Sequence, residues 1–425
     1  MPSRPTTSVA TLAGMWFVGA AAYVVAIANR TSLSALGIDA AQHFSLDPAT
    51  LSLFAVLQLA VYGVAQIPVG LALDRWGTRR VLSVGIVLMA VSQVALAVAP
   101  SAWLAIGARV FLGAGDATVF PSILRVIGLR FPRRIAPVVV QVTGLLGQFG
   151  QIISVIPFAI FVRAVGWSPG FLGLAATTAL LTILTWVVMS DDGHQSGAGN
   201  DLRRRVRVAW ANPGTRLAFW AHFTCPFAAN AFGVLWGYPF LVRAEGLSDA
   251  AAKAILTVLV AFGLVAGPVV GALSARFAQR RIIIVLSVVA AQAITWGVVI
   301  ALPGAAPTWL LVVLAAVICV GGPASVVSFD IARDHNPADQ LSTATGIVNG
   351  AGFLATVIVV FGIGLILQVT SPPGGAYDLS SFRWAMMIQF PLWILGAFMA
   401  IRENRRIDRH RSPFGSDQPL TAESR

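Results

Sequence analysis

Long apolar runs alternate with short polar connections along the whole chain. Twelve runs stand out, over residues 11–36, 50–72, 81–99, 102–127, 136–161, 168–189, 215–241, 251–274, 282–302, 307–331, 342–368 and 382–401. Each comes close to the roughly 20 residues a helix needs to cross about 30 Å of hydrocarbon. Several contain a proline, among them Pro68, Pro121, Pro157, Pro226, Pro268 and Pro323. Membrane helices accommodate proline because neighbouring helices and waters re-satisfy the freed backbone groups. The pattern predicts an all-α integral membrane protein with twelve transmembrane helices.

The connections differ in charge, and the difference alternates. One set carries Arg75, Arg79 and Arg80; Arg130, Arg133 and Arg134; Arg203, Arg204, Arg205 and Arg207; Arg276, Arg280 and Arg281; Arg333; and the tail from Arg402 to Arg411. The intervening set holds little beyond Arg163 and Arg243. The positive-inside rule puts the rich set in the cytoplasm, so both termini lie inside, as an even number of spans requires. The opening "MPSRPTTSVA" has one arginine and no small-residue cleavage site after a short apolar core, so the first run is expected to be a retained span.

The longest polar connection, "SDDGHQSGAGNDLRRRVRVAWANP" at 190–213, is expected to be a cytoplasmic linker. It separates a six-helix bundle over 11–189 from a second over 214–402, followed by a cytoplasmic tail at 403–425. The halves repeat. "GLALDRWGTRR" at 70–80 has a counterpart in "GALSARFAQRR" at 271–281, each copy following the second span of its half. Gly70, Arg75, Arg79 and Arg80 match Gly271, Arg276, Arg280 and Arg281, whereas Asp74 and Gly77 are replaced by Ala275 and Ala278. Duplicated six-helix units are a common architecture of secondary transporters, with substrate bound near mid-membrane between the repeats.

Composition sharpens this picture. The chain is 57% hydrophobic and 11% charged, against about 25% charged in soluble domains. Its net charge of +12 does not point to nucleic acid, because the arginines sit in short clusters between apolar runs, with no basic face interleaved with aromatics. The Arg, Ala, Gly and Val bias suggests a GC-rich bacterial genome, and hence a multi-pass protein of the cell (inner) membrane. Cys225 and Cys319 each lie within an apolar run and are expected to be buried free thiols, with no metal-ligand spacing. No cofactor and no metal are expected. The expected partners are the lipid bilayer and a small-molecule substrate, and the protein is expected to be monomeric.

The run Gly70, Asp74, Arg75, Gly77, Arg79 and Arg80 resembles the G-x-x-x-D-R-x-G-x-R-R/K loop between helices two and three of the major facilitator superfamily. The resemblance covers nearly the whole chain. It implies the two-bundle major facilitator fold and a gating role for these six residues, the loop latching the halves together in the outward-open state. Gly70 would let helix two approach a neighbour closely, and Asp74 could accept charge-assisted hydrogen bonds from arginines or a helix N-terminus.

Ionisable groups within spans are costly and are functional candidates. They are Arg30, Arg109, Asp116, Arg125, His222 and Asp330. In "ARVFLGAGDATVFPSILR", Arg109, Gly113, Asp116 and Phe120 share one helix face, and Arg109 and Asp116 lie about 10 Å apart along the axis, able to flank a cavity without a direct bond. Arg109 reads either as a cavity residue or as a brace for neighbouring helices. In "AIANRTSLSAL", Arg30 with Thr31, Ser32 and Ser34 is poised to grip a carboxylate or phosphate. Asp116 is the candidate proton-coupling acid, and His222 a second.

These stretches are similar to the anion:cation symporter branch of the superfamily. It has a D/N-R pair in helix one (Asn29, Arg30), Y-x-x-x-Q-x-P in helix two (Tyr62, Gln66, Pro68) and R-x-x-x-G-x-G-E/D-A in helix four (Arg109, Gly113, Gly115, Asp116, Ala117). The resemblance implies transport of an organic anion, often with protons, and adds Asn29, Tyr62 and Gln66 to the substrate site. Some proton-coupled members carry an acid where Asn29 stands, which leaves coupling on Asp116. In the C-terminal half, Asn230, Trp236 and Asn349 are expected to complete the cavity, and Asp330 to pair with Arg333. The chain lacks the clustered catalytic loop residues of a membrane enzyme and the output domain of a receptor. The alternative is a drug/proton antiporter exporting lipophilic compounds. That function favours an acid-rich aromatic cavity, whereas this one offers two arginines and one acid.

Overall fold

The computed structural model describes residues 9–33, 36–45, 48–190, 202–370 and 378–411. Ser34, most of the linker before Leu202 and the tail from residue 412 lie outside the described residues.

The described residues are helical nearly throughout. In chain order the helices are α1 Val9–Thr31, α2 Gly37–Phe44, α3 Pro48–Trp76, α4 Thr78–Ala97, α5 Ala102–Asp116, α6 Val119–Arg130, α7 Ala136–Ile153, α8 Ala159–Val165, α9 Trp167–Val188 and α10 Leu202–Ala211. They continue with α11 Pro213–Thr224, α12 Phe227–Ala231, α13 Gly237–Pro239, α14 Asp249–Arg276, α15 Arg281–Ala301, α16 Thr308–Cys319, α17 Gly321–His335, α18 Leu341–Thr370, α19 Leu379–Met386 and α20 Gln389–Arg411.

Eleven helical stretches among the described residues are long and apolar enough to cross a membrane. The expected seventh span is the one missing from that set. Residues 213–244 remain helical, but Pro226 and Pro239 interrupt the backbone ladder, and two wide five-residue turns, Phe232–Trp236 and Phe240–Ala244, replace ordinary helix. A proline contributes no N–H and crowds the preceding turn, so the run is divided into pieces too short to count individually.

Two other spans break near their middles at related places. The fourth breaks at Ala117–Thr118, between α5 and α6, and the tenth at Val320, between α16 and α17. At the first break the Thr118 hydroxyl donates to the Gly115 carbonyl at 2.8 Å, a local bond competing with the helix ladder.

Helices from the two sequence repeats meet through α3 with α18 and α7 with α14. Both seams lie next to arginine-rich connections, at the end of α3 and the start of α18, and at the start of α7 and the end of α14. The α3–α18 seam is close because it is built on glycines. A Cβ on Gly70 would collide with the Ser342 carbonyl, and one on Gly346 with the Gln66 carbonyl. Gln141 of α7 adds a bond between the repeats, donating to the Pro323 carbonyl of α17 at 2.7 Å. Cys225 and Cys319 are buried and unpaired.

Candidate functional site

The motif at 70–80 forms a joint between α3 and α18. The first-turn amides of a helix have no partners within the helix, and those of α18 find one in Asp74. Asp74 Oδ1 accepts from the Ser342 amide at 3.1 Å, and Oδ2 accepts from the Thr343 amide at 2.8 Å and the Thr343 hydroxyl at 2.6 Å. Arg125 Nη1 donates to Asp74 Oδ1 at 2.6 Å and to the Ser342 hydroxyl at 2.7 Å. Asp74 therefore caps a helix from the other repeat, where the helix dipole favours a negative charge. Gly77 turns the chain out of α3 with φ near 80°, a conformation glycine adopts without Cβ strain.

The motif arginines do different work. Arg79 donates to the Met189 carbonyl at 2.6 Å and lies over the Trp186 ring, tying α4 to the end of α9. Arg75 lies over Trp76, and Arg75 and Arg80 are exposed. In the second copy, Ala278 takes the place of Gly77 and a short 3₁₀ turn at Ala278–Arg280 replaces the glycine corner. Its acids come from α17 instead. Arg281 pairs with Asp334 and donates to Ser274, whose hydroxyl donates to Asp330 at 2.8 Å, and Asp330 pairs with Arg333 at 3.1 Å.

The second site lies deeper. Asp116 is the middle residue of the 29-residue span Ala102–Arg130 and ends α5 at the helix break. It is 1% exposed and faces α1, where Arg30 grips it with both sides of its guanidinium. Arg30 Nε donates to Oδ2 at 2.6 Å and Nη2 to Oδ1 at 3.0 Å. The bidentate fork matches a carboxylate in geometry and charge. Behind it the Tyr62 ring lies 4.4 Å from the guanidinium carbon, and Phe353 of α18 meets Tyr62 at a tilt, with ring centres 4.9 Å apart.

A row of aromatic rings runs from this pair toward α11. Tyr23 contacts Phe120 at 5.1 Å, Phe120 contacts Phe329 of α17 at 5.9 Å, and Phe329 contacts His222 at 4.9 Å. His222 Nδ1 lies 2.9 Å from the Ser325 carbonyl and 2.9 Å from the Ser328 hydroxyl. A carbonyl only accepts, so Nδ1 donates and carries a proton, leaving Nε2 as the nitrogen that can gain or lose one. Gln66 and Asn349 join the two repeats below Tyr62. The Asn349 amide donates to Gln66 Oε1 at 2.6 Å, and the Gln66 amide donates to the Tyr62 carbonyl at 3.0 Å.

Other expected site residues lie elsewhere. Arg109 donates from Nη1 to the Asn29 carbonyl and Ser32 hydroxyl, both at 3.1 Å, and from Nη2 to the Arg30 carbonyl at 2.6 Å. It caps the last turn of α1, the brace alternative, and does not touch Asp116. Asn29 is fully buried among α1, α4 and α9, accepting from Gln93 at 2.8 Å and donating to Thr178 at 3.0 Å. Both lie in helix packing that orients Arg30. Trp236 donates to the Val360 carbonyl at 2.9 Å, about 16 Å along α18 from Asn349 at 1.5 Å per residue, and does not join the cluster. Asn230 bonds Thr356 at 3.1 Å, on the Trp236 side of His222.

Sequence reasoning missed the aromatic lining from Tyr23, Phe329 and Phe353. Tyr23 lies seven residues before Arg30, on the same helix face, and that spacing could have found it. The other two are placed only by tertiary packing.

A multi-spanning helical protein with an acid–arginine pair at mid-membrane, and repeats clasped together at one end, has the construction of a membrane carrier. The sequence pattern of the Major Facilitator Superfamily matches residues 18–360 and 218–423, and the chain belongs to that superfamily. It is a secondary transporter of a small organic solute and not an enzyme.

The chain is 22% identical over 386 residues to the probable galactarate/D-glucarate transporter GudP of Escherichia coli (strain K12), covering 82% of this chain and 85% of that one. It is 35% identical over 173 residues to monocarboxylate transporter 11 of Mus musculus, covering 39% of this chain and 38% of that one. The fold matches the proton:xylose symporter XylE bound to 6-bromo-6-deoxy-D-glucose with a TM-score of 0.68 at 15% identity, covering 93% of this chain and 96% of that one.

Proposed function

We propose that this protein is a proton–organic anion symporter working by alternating access. The observation that carries the reading is the bidentate Arg30–Asp116 pair at the helix break. Arg30 offers one fork, and the carboxylates of Asp116 and of a substrate compete for it. Protonating Asp116 releases the fork, and an anion then takes its place. Proton and anion thus promote each other's binding, a reciprocal coupling typically of about 1–3 kcal/mol. Tyr62, Gln66 and Asn349 line the substrate position, His222 is a second proton site, and Arg109 and Asn29 hold α1 so that Arg30 points at Asp116. The named relatives include a probable galactarate/D-glucarate transporter and monocarboxylate transporter 11, names that support an anionic substrate.

In this reading residues 213–244 form the seventh span and complete the set of twelve. The run is about 48 Å long at 1.5 Å per residue, enough to cross despite its interruptions. Two six-helix bundles, 11–189 and 214–402, then rock about the substrate, joined by the linker at 190–213. The arginine-rich end and both termini face the cytoplasm of a bacterial cell. The Asp74 joint holds that end closed, as the outward-open state of this reading requires.

The test uses vesicles reconstituted with the purified chain and radiolabelled D-glucarate or monocarboxylates. Asp116→Asn mimics the protonated acid. It is expected to keep substrate exchange and to lose accumulation driven by a pH difference. Continued accumulation under a pH difference alone would move coupling away from Asp116, and pH-driven export of lipophilic cations by the wild type would favour the antiporter reading.

A further inference from the structure

Helix α10 and the end of α20 carry a basic surface that neither the joint nor the mid-membrane site uses. α10 packs on α18 and α11 through one side, with Ala209 buried and Arg205 donating to the Asp339 carbonyl at 2.7 Å. Its outer side exposes Arg203, Arg207, Val208 and Trp210. Trp210 meets Phe219 edge-on at 5.1 Å, and Phe219 lies two turns into α11, which opens the proposed span over residues 213–244. That contact places the indole at the depth of the membrane interface, where tryptophan is enriched.

Arg216 connects this helix to α20. It donates to the Trp210 and Ala211 carbonyls at 3.0 and 2.7 Å, and pairs with Glu403 at 2.9 Å. Arg406 also bonds Glu403, at 2.9 Å. Glu403 is buried and ion-paired with both Arg216 and Arg406, while Arg402, Arg405 and Arg409 share the exposed face of α20. The exposed Asp408 is bonded to Asn404 at 3.0 Å. Among the described residues, no acid lies within ion-pair distance of Arg203, Arg207, Arg402, Arg405 or Arg409.

We propose that the outer face of α10 and the basic face at the end of α20 form a site for anionic phospholipid headgroups of the adjoining leaflet. The chemistry is complementary on both counts: guanidinium groups for the lipid phosphate, and Val208 with Trp210 for the boundary of the acyl region. Because α10 leads directly into α11, bound lipid would hold the connection between the repeats against the membrane.

The test is lipid retention by the purified full-length chain, released from nanodiscs containing equal phosphatidylglycerol and phosphatidylcholine and weighed by native mass spectrometry. The wild type is expected to retain phosphatidylglycerol preferentially. Arg203→Gln with Arg207→Gln is expected to weaken that preference about 30-fold, from about 1 kcal/mol per surface cation. Lysine at both positions is expected to preserve most of it, and Arg243→Gln, at the opposite end, is expected to change nothing. Equal retention of the two lipids by the wild type, or an undiminished preference in the double glutamine variant, would overturn the site. Displacement of the lipid by soluble glycerol phosphate would also overturn it, because the ligand would then be a free phosphate.

Discussion

Replacing Asp74 with asparagine tests the joint most directly, since the change preserves shape and removes charge. Three bonds cross from Asp74 to α18, from the amides of Ser342 and Thr343 and the hydroxyl of Thr343. A hydrogen bond to a charged group contributes about 1.5–3 kcal/mol and a neutral one about 0.5–1.5. Asparagine keeps one accepting oxygen and turns an NH₂ toward donors, while Arg125 loses its counter-charge. The loss across the seam is then roughly 3 kcal/mol, at about 1 kcal/mol for each of the three crossing bonds weakened. At about 1.4 kcal/mol per tenfold, the ratio of closed to open forms at the arginine-rich end shifts about 100-fold.

Spin labels at Arg133 and Gln279, both exposed and flanking the α7–α14 seam at the same end, report this ratio by pulsed electron resonance once the native cysteines are replaced. The expected result is a new long-distance population in Asp74→Asn, with slower transport and normal expression. An unchanged distance distribution and normal turnover in a folded variant would refute the latch.

Two further outcomes follow from the mid-membrane site. Arg30→Lys keeps the charge but loses the fork, so anion affinity should fall in equilibrium binding, and Arg30→Ala with Asp116→Asn should bind no anion while remaining folded; unchanged affinity in both would remove Arg30 from the substrate site. Arg109→Gln should lower thermal stability, because the buried Arg30 carbonyl loses its donor at about 1–3 kcal/mol while the Asn29 carbonyl keeps only the Ser32 donors, and should also weaken anion binding through displacement of α1; a variant as stable as the wild type would show that the cap contributes nothing.

The periodic apolar runs, alternating arginine clusters and repeated motif made the membrane-spanning helical architecture legible in the sequence. Each depends on local spacing and on the cost of placing charge in hydrocarbon. The sequence also marked Arg30 and Asp116, because two ionisable residues within apolar runs have few inexpensive explanations. It could not pair them. They are 86 residues apart, and only the packing of α1 against the helix break brings the fork to the carboxylate. Arg109 looked equivalent on paper, sharing a helix face with Asp116, but it meets the end of α1 and becomes a cap. The function of Asp74 likewise depends on its meeting the first turn of α18, 268 residues away. Sequence periodicity fixes which face of a helix is polar; which neighbour that face meets is decided by close packing, and at the α3–α18 seam by the absence of side chains on Gly70 and Gly346.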